Sequence, residues 1–170
     1  MRTHRNASPS ERSGARLMAA PVTLSEQFQF AASLGDALAL FEDVPGVIAC
    51  IPGATIGAPH DDGSYEAKIG VQYGETSVHF SGLVRLERTA PTVLSVRAEG
   101  QDGLRSIRAE GDIVLTFAVA ATGGTTMDLA ASFSFSGILA PLGRAATKMV
   151  GPQLMKSFGA CLAAKSAGAV

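Results

Sequence analysis

The chain has 170 residues, 46% of them hydrophobic and 17% charged, with a formal net charge of −1 and no tryptophan. That is enough for one domain with a substantial apolar core, while the near-neutral charge removes the general electrostatic case for nucleic-acid binding, which needs a strong positive excess. Two cysteines, Cys50 and Cys161, are too few for a disulfide framework; they fit a reducing compartment and leave a single bridge between them open.

The first twenty residues carry Arg2, Arg5, Arg12 and Arg16 against Glu11 alone and are rich in serine. No apolar run resembles the centre of a secretion signal. Residues 1–20 are therefore expected to be a disordered basic tail, either dispensable or in touch with an acidic partner or membrane face. A single domain is expected over 21–166, with a short tail over 167–170.

In "LSEQFQFAA" Phe28 and Phe30 alternate with Gln27 and Gln29, the pattern of a first strand. Ser33 then stands in N-cap position with Asp36 three residues on, and Leu34, Leu38 and Phe41 follow at helical spacing. Val44 to Ile51 reads as a second short helical turn, ended by Pro52 and Gly53.

Beyond this corner the period changes to two. Tyr65, Ala67, Ile69, Val71 and Tyr73 share one face, and Glu66, Lys68 and Gln72 the other. Val78, Phe80, Gly82, Val84 and Leu86 alternate in the same way with His79, Ser81, Arg85 and Glu87. The pattern repeats through Leu94, Val96 and Ala98, through Ile107 to Val119, and through Met127 to Phe135, with turn residues between the runs. Leu129 to Gly143 is uncharged, but Ser132, Ser134 and Ser136 interrupt it, so it reads as strand and not as a membrane span. From Leu142 the apolar residues recur at helical spacing (Ala146, Met149, Val150, Leu154, Phe158, Cys161, Leu162), and Gly151-Pro152 is expected to kink or divide that helix.

The fold class that follows is α+β: a curved antiparallel sheet of about seven strands, two short helices after the first strand, and a long C-terminal helix laid on the sheet's apolar face. That face carries almost no ionisable side chain. Glu66, Glu87, Glu110, Asp112, Asp128 and His79 all fall on the outward positions, which leaves an acid–base enzyme without its groups. Small residues at inward positions, Gly82, Ala98, Ala109, Gly111 and Ala131, leave either a dry apolar cavity or a space that the helix fills. No His or Cys pair has metal-ligand spacing, and "DDG" at 61–63 reads as a hairpin turn. No metal and no cofactor is expected. Cys50 lies downstream of Glu42 and Asp43 with no histidine near it in sequence, a setting for packing and not for a reactive thiolate. After Asp128 there is no acid, and Arg144 and Lys148, four apart on the last helix, are the candidate contact for a partner or a membrane.

"ACIPGA" at 49–54, "DDGSYEAKIGVQYG" at 61–74, "FSG" at 80–82, "GGT" at 123–125 and "LAPLGRAATKMVG" at 139–151 together resemble the carbon monoxide dehydrogenase G-subunit family. The chain departs from the family's usual pattern after Asp43, where Val44 precedes Pro45. The resemblance implies a START-like, helix-grip fold of the SRPBCC superfamily, holding an apolar molecule between sheet and helix. It also implies a non-enzymatic accessory role to a molybdenum hydroxylase of the carbon monoxide dehydrogenase type, in maturation or membrane recruitment. A lipid or isoprenoid quinone fits such a pocket. The location expected is cytoplasmic, peripheral at the inner face of the membrane, with no nucleic acid as partner. Candidate lining residues are Phe30, Tyr65, Ile69, Val71, Tyr73, Phe80, Val84, Ala98, Ile113, Phe117, Leu129, Phe133, Met149 and Leu154, with Tyr65 and Tyr73 as hydrogen-bond donors to a ligand carbonyl. The rival readings are a cyclase or aromatase on the same fold and a structural adaptor with a filled core.

Overall fold

The computed structural model describes residues 21–168, so the basic tail expected over 1–20 lies outside them. Seven strands form one antiparallel sheet: β1 (Val22–Phe30), β2 (Ala54–Pro59), β3 (Tyr65–Tyr73), β4 (Thr76–Ala90), β5 (Val93–Asp102), β6 (Ile107–Val119) and β7 (Thr125–Ser136). Their order across the sheet is β1-β7-β6-β5-β4-β3-β2. Strands 2 to 7 are thus a plain meander, and β1 closes the far edge by pairing with β7, Phe28 opposite Met127. The period of two read from the sequence is the sheet's own, because successive side chains of a strand point to opposite faces.

Two short helices bridge β1 to β2. In α1 (Leu34–Ala39) the Ser33 hydroxyl accepts the Asp36 amide at 3.2 Å, and a 3-10 turn (Leu40–Glu42) follows. In α2 (Val44–Ile48) Asp43 takes the cap, accepting the Gly46 amide at 3.2 Å, with Pro45 inside the first turn where a missing N–H does no harm. A Cβ on Gly46 would press on the Asp43 carboxylate, so the cap would have to shift to admit a larger residue there. The Asp43-Val44-Pro45 order that departs from the family pattern therefore still makes a capped helix.

The last helix, α3 (Ala140–Gly168), is a single element of 29 residues. Gly151-Pro152 does not divide it. Pro152 and Lys148, whose carbonyl loses its partner to the proline, both lie on the exposed side. Water can satisfy that carbonyl, which keeps the local penalty small. The helix also continues through Gly168, past the start of the tail expected at 167.

Glycine fixes how closely α3 approaches the sheet. A Cβ on Gly143 would lie 2.7 Å from the Phe135 ring, one on Gly151 2.7 Å from a Leu24 methyl, and one on Gly159 would overlap the Phe28 ring. These positions recur every eight residues, about 80° further round the helix each time, so the point of close approach moves round α3 along its length. Leu24, Phe28 and Phe135 sit against the bare backbone there.

The packed interior falls into two clusters. The larger joins Phe30, Phe41, Leu115, Phe117 and Met127 to Met155, Phe158 and Leu162 of α3, with Phe41 edge-on to Phe117 at 5.5 Å. The smaller gathers Val22, Val78, Ile107, Phe135 and Ala140 near the start of α3. A disulfide joins Cys50, just past α2, to Cys161 on α3, with Cα atoms 5.4 Å apart across 111 residues of sequence. Cys50 is buried at 4% exposure, as its packing role requires, but it is not a free thiol.

Candidate functional site

Between the two clusters a gap is left under α3, with Gly143 and Gly151 seated against Phe135 and Leu24 at its edges. A cavity of about 320 Å³ lies there, at the lower end of the range for small-molecule sites. Its floor comes from two adjacent cross-strand rows. In one, Ala67 of β3 stands opposite Gly82 of β4, Gly82 opposite Gly100 of β5, and Gly100 opposite Ala109 of β6. In the next, Val84 stands opposite Ala98, and Ala98 opposite Gly111. Side chains of almost no volume thus fill the middle of the sheet. Around them stand larger groups: Ile69, Val71 and Phe80 on one side, and Ile113, Leu129 and Phe133 on the other.

The roof is α3, with Gly143, Ala146, Thr147, Val150, Gly151 and Leu154 facing inward at three- and four-residue steps. The remaining wall is α2 and its exit, through Val44, Val47, Ile48 and Ile51. From the sequence that segment reads as structural, although its spacing of i, i+3, i+4 and i+7 is itself an apolar stripe. Gly100 is missed as well, because the glycine in "AEGQDG" looks like part of the following turn.

Of the candidate lining residues, Ile69, Val71, Phe80, Val84, Ala98, Ile113, Leu129, Phe133 and Leu154 surround this cavity. Five others lie elsewhere. Phe30 and Phe117 belong to the larger packed cluster. Tyr65 and Tyr73, the first and last residues of β3, are not among the residues that line it. Met149 is 70% exposed: the inward stripe runs through Ala146, Val150 and Leu154, and position 149 falls on the solvent side of it. On the same side Lys148 is exposed, while Arg144 is half-buried in the opening turns of the helix.

The cavity chemistry is almost wholly carbon. Lys68, Glu99 and Glu110 border it, but each occupies an outward position of its strand, between inward-facing neighbours. Glu110 and Asp112 are engaged on the outer face by Arg97, at 2.9 and 2.7 Å. Hydrogen bonds from that guanidinium to Asp112 and then Glu110 hold Arg97 even more firmly protonated than usual. Among the lining residues the side-chain hydroxyl is that of Thr147, which donates to the Gly143 carbonyl at 2.9 Å. His79 is exposed on the outer face, as its strand position implies. Among the described residues no group of three or more His, Cys, Asp or Glu is arranged to hold a metal ion, and no helix is long and apolar enough to cross a membrane.

Outside the cavity the most buried carboxylate is Asp102, 3% exposed at the end of β5. It accepts the backbone amides of His79 and Arg105, each at 3.0 Å, and its Oδ2 lies 3.7 Å from the Arg105 guanidinium. Burial pushes its pKa up, but those amides and the Arg105 charge outweigh burial, and the pKa lies below the ordinary carboxylate value.

Several solved structures share this architecture. A conserved protein from Geobacillus kaustophilus superposes with a TM-score of 0.72 at 13% identity, covering 86% of this chain and 96% of its own. The Zhui aromatase/cyclase from Streptomyces sp. R1128 gives 0.61 at 11% identity, covering 86% and 93%. A START superfamily protein from Mycobacterium smegmatis gives 0.59 at 13%, covering 87% and 99%. At such identities the likeness is one of fold. No curated protein matches the chain. The family model for the carbon monoxide dehydrogenase G-subunit (CoxG) matches residues 27–167.

Proposed function

The chain belongs to the carbon monoxide dehydrogenase G-subunit (CoxG) family, and from that premise we propose that it holds an apolar small molecule between sheet and helix, as an accessory protein to a molybdenum hydroxylase of the carbon monoxide dehydrogenase type. The observation that carries the reading is the cavity of about 320 Å³ floored by Gly82, Ala98, Gly100 and Gly111. A void of this size lined by carbon forfeits dispersion contacts on every wall and offers water no partners, so an apolar occupant restores what the side chains leave unmade.

The lining also says what part of a ligand belongs inside. Its hydroxyl is turned to a backbone carbonyl and its ionisable residues face out. A buried polar group on the ligand would go unpaired, at a cost of about 1–3 kcal/mol. The fitting species is an acyl or isoprenoid chain, as in a lipid or an isoprenoid quinone, with any polar ring or headgroup kept at the mouth. The same lining supports binding over the cyclase or aromatase chemistry known on this fold, which needs an acid or base aimed at substrate. The accessory role is one of maturation or membrane recruitment.

Native mass spectrometry of protein extracted gently from its host, followed by titration with a short-chain isoprenoid quinone and a phospholipid, tests this. A bound apolar species and saturable binding are expected. Ala98→Leu, which adds carbon to the floor, should weaken that binding roughly tenfold while leaving stability within about 1 kcal/mol. Protein that is recovered empty and ignores both classes of ligand would overturn the reading.

A further inference from the structure

A molecule held between sheet and helix has to enter and leave. The wall that α2 supplies is built differently from the others. It is a five-residue helix, too short to persist by itself. Its backbone hydrogen bonds are local, Ala49 donating to Pro45 and Ile51 to Ile48. Val44, Ile48 and Ile51 are half-buried and border the cavity without filling it, so they forgo contacts on that side. The segment is anchored at both ends. Before it, Phe41 is buried edge-on to Phe117. After it, Gly53 turns at a φ of 82° and its carbonyl accepts the Gly70 amide at 3.0 Å as β2 begins. Between these anchors Val47 packs inward, and Cys50 is bonded to Cys161 of α3.

The bridge therefore joins a wall of the chamber to the helix that roofs it. A disulfide that only secured the sheet would join strands. The two sulfurs also differ in access. Cys50 is 4% exposed, whereas Cys161 is half-buried and has small, exposed neighbours in Ala160 and Ala164. An external thiolate thus meets Cys161 first.

We propose that the Cys50–Cys161 bridge is a redox latch on the chamber: oxidised, it holds α2 against α3 and keeps an apolar molecule in; reduced by a dithiol, it frees α2 to swing between Asp43 and Gly53, and the chamber exchanges its content. The step is a two-electron thiol–disulfide exchange. A thiolate of the dithiol attacks Cys161 Sγ, the Cys50–Cys161 bond breaks, and Cys50 leaves as a thiolate that takes up a proton. The second thiolate of the dithiol then attacks its own sulfur in the mixed disulfide. Cys161 is released and protonated in turn, and the reductant ends as its disulfide. The use of such a latch rests on the proposed carrier function; the loosening of α2 on reduction does not.

The test compares the natural chain with its bridge intact and after reduction by dithiothreitol, below the unfolding temperature of the reduced form. In deuterium labelling over seconds to minutes, segment 44–52 should exchange at least roughly tenfold faster once reduced, while β6 and β7 stay protected in both forms. In stopped-flow mixing with N-phenyl-1-naphthylamine, an uncharged fluorophore that thiols do not attack, the probe should enter the reduced chain roughly tenfold faster. Cys50→Ser with Cys161→Ser should behave as the reduced chain and ignore dithiothreitol. Unchanged exchange over 44–52, or faster exchange there with unchanged probe entry, overturns the proposal. So does a reduced chain in which every segment exchanges alike, which would make the bridge a staple for the whole fold. Selective loosening of 44–52 in a chain that takes up no probe in either form upholds the latch and overturns the carrier reading instead.

Discussion

The two halves of α3 use one helical stripe to opposite ends. From Met155 onward the inward positions carry Met155, Phe158 and Leu162, which pack against Phe30, Phe41, Phe117 and Met127, and the Cys50–Cys161 bridge ties this half to the exit of α2. Before Met155 they carry Gly143, Ala146, Thr147, Val150, Gly151 and Leu154, above a floor of Gly82, Ala98, Gly100 and Gly111, and a space stays open that Met155 and Phe158 border at its far end. Periodicity decides which way a side chain points. Volume decides whether the two layers meet there. The filled half supplies cohesion and the hollow half supplies a site, so a single element serves both without a change of secondary structure.

The largest expected break in that contrast comes from the bridge. It closes a loop of 111 residues, and opening it should lower stability by about 4–5 kcal/mol on the chain-entropy account. Urea unfolding with and without a thiol reductant measures this. Equal midpoints, with Cys161→Ser also unchanged, would mean that packing alone holds the filled half. Next comes the packing itself. Phe158→Ala removes a ring from the filled half and should cost about 3–4 kcal/mol, whereas Leu154→Ala borders space already empty and should cost about 1–2 kcal/mol. Similar losses at the two positions would erase the distinction drawn between the halves.

A comparable effect is electrostatic and lies at the end where the hollow half begins. The folded-state pKa of Asp102 is depressed, so its contribution to stability is present above the unfolded value of about 3.9 and is lost as pH falls through the folded one. Urea midpoints followed from about pH 7 down to about pH 3 should therefore fall less steeply for Asp102→Asn than for the natural chain. At neutral pH, Asp102→Ala leaves the His79 and Arg105 amides unpaired and should cost about 2 kcal/mol. A variant as acid-sensitive as the natural chain would show that Asp102 does not brace the β5–β6 turn.

Most of the fold was legible from residue order. Ser33 and Asp36 mark a real cap, the alternation from Tyr65 to Phe135 is a real meander, and the last apolar stripe is a real helix. Each of these signals is local, carried by residues within a few positions of one another. The strand over Ala54–Pro59 was not read, since six residues with a proline and a glycine give little alternation to read. The floor of the cavity was half legible: Gly82, Ala98 and Gly111 stand out as small residues at inward positions, but nothing in the sequence says that they adjoin one another across β4, β5 and β6.

The sequence by itself determined the elements, their order and which face of each is apolar, because backbone preference and side-chain alternation act over a few residues. Only the tertiary structure decided that Cys50 meets Cys161, and that Val47 and Ile51 wall the cavity while Met149 and Tyr73 do not. Those facts depend on strand register and on the exact side of α3 laid against the sheet. A helical stripe of Leu142, Ala146, Met149 and Val150 is compatible with more than one such side, and the seating of Phe135 and Leu24 against Gly143 and Gly151 goes with one of them.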